Sequence, residues 1–240
     1  MEARHLATIE AGDLLLSVAE QLKVPLTAIA RQAELGQLTG QPSLVDAGAI
    51  RTQADAALQL VESYLLGLQL MSTQAQLDLE PVSVSSTLQD AAHALERFAK
   101  QYGVQLELHV AGKFPPVMAH AGGLRAALLS LGFALVEAQA AQDSAKPRRL
   151  TLATHHTPHG IIAGLYGDYD GLSAKQWRSA LKLYGRAPQP LTAVSAGSGA
   201  GLFVADAILR SMESSLRVGH YQHQSGLAAT FQPSRQLQFV

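Results

Sequence analysis

The chain has 240 residues, 48% of them apolar, with a formal net charge of −1 at pH 7 and no cysteine. This much apolar residue excludes global disorder. Near-zero charge without a basic stripe excludes a general nucleic-acid binder, and the lack of cysteine excludes disulfides and thiolate metal sites. Glu2, Arg4, Glu10 and Asp13 break up any secretory leader. The longest apolar runs fall well short of the ~20 residues a bilayer crossing needs. A cytoplasmic protein without a membrane segment is expected.

Residues 3–73 read as two helices. Ile9, Leu15, Val18, Leu22, Leu26 and Ile29 recur at three- and four-residue steps, the stripe of a 3.6-residue helix. Gly36, Gly40 and Pro42 break the pattern. Ser43, with Asp46 three positions on, is close to a capping box for the second helix. That helix carries Ile50, Ala54, Ala57, Val61, Leu65 and Leu68 along one face. Two amphipathic helices with a short connection form a hairpin with a half-covered apolar stripe. The expectation is a homodimer that completes a four-helix bundle; the alternative is that the stripe packs on the C-terminal half of the same chain.

The periodicity changes near residue 77. Leu77–Leu79 and Val82–Val84 alternate as strand does, and a helix follows over 86–102. Val104–Val110 alternates strictly and predicts a half-buried strand. Residues 119–140 are helical in pattern. Residues 149–156 and 160–167 predict a hairpin across Thr157-Pro158-His159. Residues 172–196 are mixed and contain Pro188 and Pro190. Gly197-Ser198-Gly199-Ala200-Gly201-Leu202 then opens a helix to about Met212, and a last hairpin pairs 215–221 with 227–231. The fold class is α+β, a helical hairpin (residues 1–74) followed by an α/β sandwich (residues 75–240).

This order of elements resembles the cytoplasmic core of a sensor histidine kinase, a dimerising phosphoacceptor hairpin followed by an ATP-binding sandwich. Four places carry the resemblance. Leu22, Lys23, Pro25 and Leu26 match the acceptor motif, and a proline inside a helical pattern costs about 3 kcal/mol or more, so its position is informative. By that alignment Glu20 stands at the phosphoacceptor histidine and Gln21 at the acid after it. No histidine occurs from residue 6 to residue 92. Gly197, Gly199, Gly201 and Leu202 match the glycine turn whose backbone approaches nucleotide phosphates at a helix N-terminus. The helix Leu124–Glu137 matches the one that offers asparagine to magnesium, but the matching positions are Ser130 and Ala134, and the chain has no asparagine. Glu137, a turn further on, is a carboxylate able to coordinate a hard cation. The loop Gly167-Asp168-Tyr169-Asp170-Gly171-Leu172 matches the adenine-recognition loop. Without a gap the aspartate position is Gly167 and Gly171 is retained; with one deletion Asp168 becomes the adenine contact.

The resemblance implies ATP or ADP as ligand, with the amide ligand for magnesium missing. It implies a response-regulator-like partner on the bundle surface at Glu20, Gln21 and Lys23. Because the acceptor histidine is replaced, the expected function is a degenerate histidine kinase acting as a dimeric scaffold. The alternatives are a nucleotide-binding enzyme that passes phosphate to or from a partner, and a structural regulator of an unrelated partner. Outside these places, His155, His156 and His159 form one cluster and His220 and His223 another. Adjacent strand residues point to opposite faces, so the first cluster reads as hairpin decoration rather than a metal site. Lys175, Arg178, Lys182 and Arg186 have helical spacing, a solvated face or a phosphate contact. Trp177 either packs this stretch down or meets a partner.

Overall fold

A computed structural model of the chain describes residues 22–23, 25–35, 46–73, 77–110, 112–142, 147–169, 172–183 and 200–234. Its helices are α1 (residues 25–35), α2 (Ala47–Thr73), α3 (Val84–Gln101), α4 (Ala121–Ala141), α5 (Ala174–Leu183) and α6 (Ala200–Arg210). The strands are β1 (Glu80–Val82), β2 (Gln105–Val110), β3 (Val117–Ala119), β4 (Arg149–Thr157), β5 (Gly160–Gly167), β6 (Arg217–Tyr221) and β7 (Gln224–Phe231).

The alternating segments build a five-stranded sheet in the order β2-β4-β5-β7-β6, parallel between β2 and β4 and antiparallel elsewhere. The predicted β4–β5 hairpin turns through Pro158 and His159 into Gly160. There φ is +131°, and a side chain would collide with the carbonyl of Phe231 on β7. β1 and β3 form a separate two-stranded ribbon. It is joined to the end of β7 by Met118 N–H donating to Gln232 O. The sequence reading missed β3, which is only three residues long. It also placed strand at Val84, where α3 begins behind its cap Ser83.

One sheet face is dry because period-two alternation turns Leu150, Leu152, Ile161, Ala163, Leu165, Leu227, Ala229 and Phe231 into the core cluster. Against them lies α4, buried at every position from Ala127 to Val136. Helices apolar on every side belong in a core. By length and hydropathy α4 alone among the described helices would also suit a membrane, but 78% of that window is buried inside the fold.

The second helix differs from its prediction in two respects. It begins at Ala47, and the cap is Asp46, whose Oδ1 accepts from Ala49 N at 2.9 Å; Ser43 lies outside the described residues. Its buried face is Gln53, Ala56, Ala57, Leu60, Ser63, Tyr64 and Leu70, rotated from the predicted stripe. Ile50, Ala54 and Val61 are half-buried, and Leu65 is 55% exposed. The physical reason is a second apolar surface, the sandwich itself. Ala56, Leu60, Tyr64 and Leu70 join the same core cluster as the sheet. Close approach to α6 is permitted by Gly67, where an added Cβ would lie 3.1 Å from Val204.

The sheet edge is fastened to two helices through the backbone of one residue, Leu216. Its N–H donates to Asp206 Oδ1 of α6 at 2.8 Å, and its carbonyl accepts from Trp177 Nε1 of α5 at 2.8 Å. Asp206 is 3% exposed and also takes the Arg210 guanidinium at 2.7 Å. Replacing Asp206 with alanine removes a charge-assisted bond and leaves a buried N–H unpaired, so Asp206→Ala is expected to cost about 3 kcal/mol. Urea unfolding of the variant beside the parent measures it.

Candidate functional site

The proline-bearing motif is helical on both sides of Val24: residues 22–23 and 25–35 are helix, and Pro25 is buried. Leu22 packs on the main core and Lys23 is exposed. Leu26, predicted on the apolar stripe, is 56% exposed. Glu20 and Gln21 lie outside the described residues.

The glycine turn is described only from its helical end. Gly201 and Leu202 sit in the first turn of α6, both buried, between Ala200 and Phe203, which are buried too. Gly197 and Gly199 lie outside the described residues, as does Gly171. On α4, Ser130 is 0% exposed and its hydroxyl finds no hydrogen-bond partner, while Ala134 is 3% exposed. Glu137 stands beside the end of α3. Its carboxylate, acting after burial as the larger cause, helps push the Tyr102 phenol up to about 12.

The loop after β5 is organised by residues that sequence reasoning passed over. Gly167 is buried and ends the strand, whereas Asp168 is exposed and contributes its backbone carbonyl to the Gln139 amide at 3.3 Å. Tyr169, 5% exposed, runs inward and donates its hydroxyl to Leu135 O of α4 at 3.2 Å. Burial raises its pKa, so the phenol stays protonated and a donor. An aromatic residue between two loop aspartates was the only sequence signal for this plug.

The segment after the loop is pinned in the same manner. Trp177 is 3% exposed and its ring stacks on Phe203 of α6 at 5.9 Å. Of the two readings of Trp177, packing holds. Lys175 and Arg178 are exposed on α5; Arg186 and the Lys182 side chain lie outside the described residues.

Of the histidines on β4, only His155 lies on the sheet face turned away from the core. His155 is half-buried and His156 exposed, on opposite faces as adjacent strand residues must be. His155 stacks on Tyr221 at 5.7 Å, and burial lowers its pKa. His220 shares a 3.2 Å hydrogen bond with Ser225. No group of three or more metal-ligating side chains occurs among the described residues.

Three tyrosines, Tyr102, Tyr166 and Tyr169, have raised pKa values, burial being the first cause in each. Their ordinary value is 10.0, so between pH 10 and about 12 the unfolded chain loses protons that the folded chain keeps. Stability is therefore expected to be flat up to about pH 10 and to fall above it. Thermal melts from pH 9 to 12 test this, and Tyr102→Phe should make the decline shallower.

No protein-family model matches the sequence, and no curated protein matches it. Solved structures do resemble the fold. Full-length ShkA in complex with AMPPNP superposes at a TM-score of 0.54 with 21% identity, covering 81% of this chain. The match takes in 40% of that kinase, so the chain spans well under half its length. The Acinetobacter baumannii histidine kinase AdeS superposes at 0.51 with 16% identity, over 90% of this chain and 98% of that one. Helices on one side of a mixed sheet, with a long helix from the N-terminal half packed against them, are thus the fold of a sensor histidine kinase core.

Proposed function

We propose that this chain is a degenerate histidine kinase, a dimeric scaffold in two-component-type signalling that does not phosphorylate itself on its helical hairpin. The observation that carries the reading is the state of α4. The two positions that would hold magnesium are serine and alanine, both sealed in the core, in a chain without asparagine. Further support comes from Asp168, which is exposed, and from Tyr169, whose ring fills space against α4. We read this set as not fitting a magnesium–nucleotide complex. At the acceptor position the sequence places Glu20, a carboxylate that cannot form a phosphoramidate.

In this reading residues 1–74 are the dimerising hairpin and residues 75–240 the ATP-binding-type sandwich. The partner, a response-regulator-like protein, meets the surface at Glu20, Gln21 and Lys23, of which Lys23 is exposed. Dimerisation is supported by exposed leucines on the hairpin helices: Leu26 at 56%, Leu35 at 47%, Leu58 at 61% and Leu65 at 55%. Leu58 and Leu65 are seven residues apart and share one face of α2. The double variant Leu58→Glu, Leu65→Glu is expected to run as a folded monomer in light scattering, where the parent runs as a dimer.

The direct test is incubation with γ-labelled ATP. No acid-labile label on the purified chain is expected, and its appearance would overturn the reading. A second reading keeps nucleotide binding and has phosphate passed to another protein; it is favoured by Gly201 and Leu202 opening α6 as the glycine motif requires. Thermal titration separates the two. A ligand at 100 times its Kd stabilises the fold by about 2.7 kcal/mol, and no shift with ATP, ADP and magnesium is expected.

A further inference from the structure

The two edges of the five-stranded sheet, β2 and β6, differ. Just before β6 the Leu216 carbonyl is taken by Trp177 of α5, and Gly219 leaves a gap in the row of β6 side chains. β2 carries none of the features that blunt an edge. Gln105–Val110 contains no proline, glycine or lysine, and its register with β4 runs unbroken. Among the described strands β4 is its only partner. One hydrogen bond fixes where its free groups point: Gln105 N–H donates to Arg148 O, so the backbone of Gln105 faces β4. Backbone groups alternate sides along a strand, so those of Glu107 and His109 face β4 too. The N–H and C=O of Leu106, Leu108 and Val110 therefore point outward, with no hydrogen-bond partner among the described residues. Leu108 is 38% exposed, and among the described residues it is the one exposed large apolar side chain outside α1 and α2. A row of outward N–H and C=O groups beside an exposed leucine fits another strand.

The side-chain order of β2 indicates which strand. When two copies of β2 pair antiparallel about a two-fold axis at Leu108, that leucine meets its own copy and Leu106 meets Val110. These are the residues whose backbone groups point outward, so each such pair exchanges both of its hydrogen bonds. The same register sets Glu107 against His109 on either side of the axis, at the non-hydrogen-bonded positions where side chains come closest. A carboxylate then faces an imidazole N–H donor. Arg149, 3.0 Å from Glu107, holds that carboxylate in place within its own chain. An axis at Glu107 would set two carboxylates against each other, and one at His109 two imidazoles. Moving the axis to Leu106 or Val110 shortens the ladder. The sequence of this edge is thus complementary to itself in one register.

We infer that β2 is a self-recognition edge, through which two copies of the chain join antiparallel into one continuous sheet with the axis at Leu108. A pair of strands only 6 residues long buries an area at the low end of specific interfaces, so the contact is weak and forms at high protein concentration. It uses none of the exposed leucines of α1 and α2 and does not depend on a hairpin dimer.

The test is amide hydrogen exchange and sedimentation velocity of the full chain over a concentration series, in the parent and in the Leu58→Glu, Leu65→Glu variant. As concentration rises, the amides of Leu106, Leu108 and Val110 should gain protection, while those of Glu107 and His109, already bonded to β4, stay as they were. Over the same range the double variant should pass from monomer, its state when dilute, to dimer. Leu108→Lys, at an exposed position, sets two ammonium groups against each other. It should raise the dissociation constant of this contact about tenfold or more at an unchanged melting temperature. Glu107→Lys should weaken the contact, and Glu107→His combined with His109→Glu, which exchanges the facing pair, should keep it near the parent's strength. Protection that rises on every β2 amide alike, or on none, would overturn the inference, as would association that Leu108→Lys leaves unchanged. Alternating protection that is independent of concentration would assign the edge to a segment of the same chain and overturn pairing between copies. Failure of the hairpin dimer shows separately, as a dilute double variant whose mass does not fall below the parent's.

Discussion

The backbone of Leu216 is where the layers of this molecule are tied together. A buried N–H and a buried carbonyl each need a partner, since leaving either unpaired costs about 1–3 kcal/mol. Asp206 supplies one from α6 and Trp177 the other from α5. Because both partners are buried side chains on different helices, neither helix can move from the sheet without exposing a polar group to an apolar interior. The stacking of Trp177 on Phe203 closes the same joint from the side. The segment after β5 is thereby packed down at helix α5 by Trp177.

Around α4 packing again dominates. A helix that is to present polar ligands to an ion needs an open face. Here the face is lined with leucine, alanine, glycine and phenylalanine, and Ser130 is enclosed. Tyr169 closes the loop end of α4 by donating to the Leu135 carbonyl, and Gln139 reaches the backbone of Asp168. The loop after β5 is thus joined to α4 by a phenol on one side and an amide on the other. The N-terminal half takes part in this economy, since Leu60 and Tyr64 of α2 bury themselves in the sandwich core while Leu58 and Leu65 stay outside. A helix with two apolar sides can serve two interfaces at once.

The sheet was largely legible before any coordinates. The strict alternation of Val104–Val110 announced β2, and the hairpin of β4 and β5 was read across a turn that ends in Gly160, whose φ is positive. Short elements and helix rotation were not. β3 has three residues and no period to detect. Of the stripe Ile50, Ala54, Ala57, Val61, Leu65 and Leu68 on α2, Ala57 is buried but Ile50, Ala54 and Val61 are half-buried and Leu65 is exposed, because the helix turns the Leu60–Tyr64 side, with Gly67 close to Val204 of α6, into the core. Of the site, the motif positions could be read from spacing, yet Tyr169, Gln139, Asp206 and Tyr166 carry no motif and acquire meaning only from what lies beside them.

By itself the sequence determined the deficits: a chain with no asparagine, and with no histidine from residue 6 to residue 92, lacks those side chains in every possible fold. It also determined strand periodicity, and helix wherever the apolar pattern was long, since both follow from local backbone geometry. Only the tertiary structure decided which apolar face of α2 is buried, that Ser130 is enclosed in the core, and that Trp177 packs rather than projects. Those outcomes depend on contacts between residues far apart in the chain, and local pattern carries no information about which distant surface will come to lie against it.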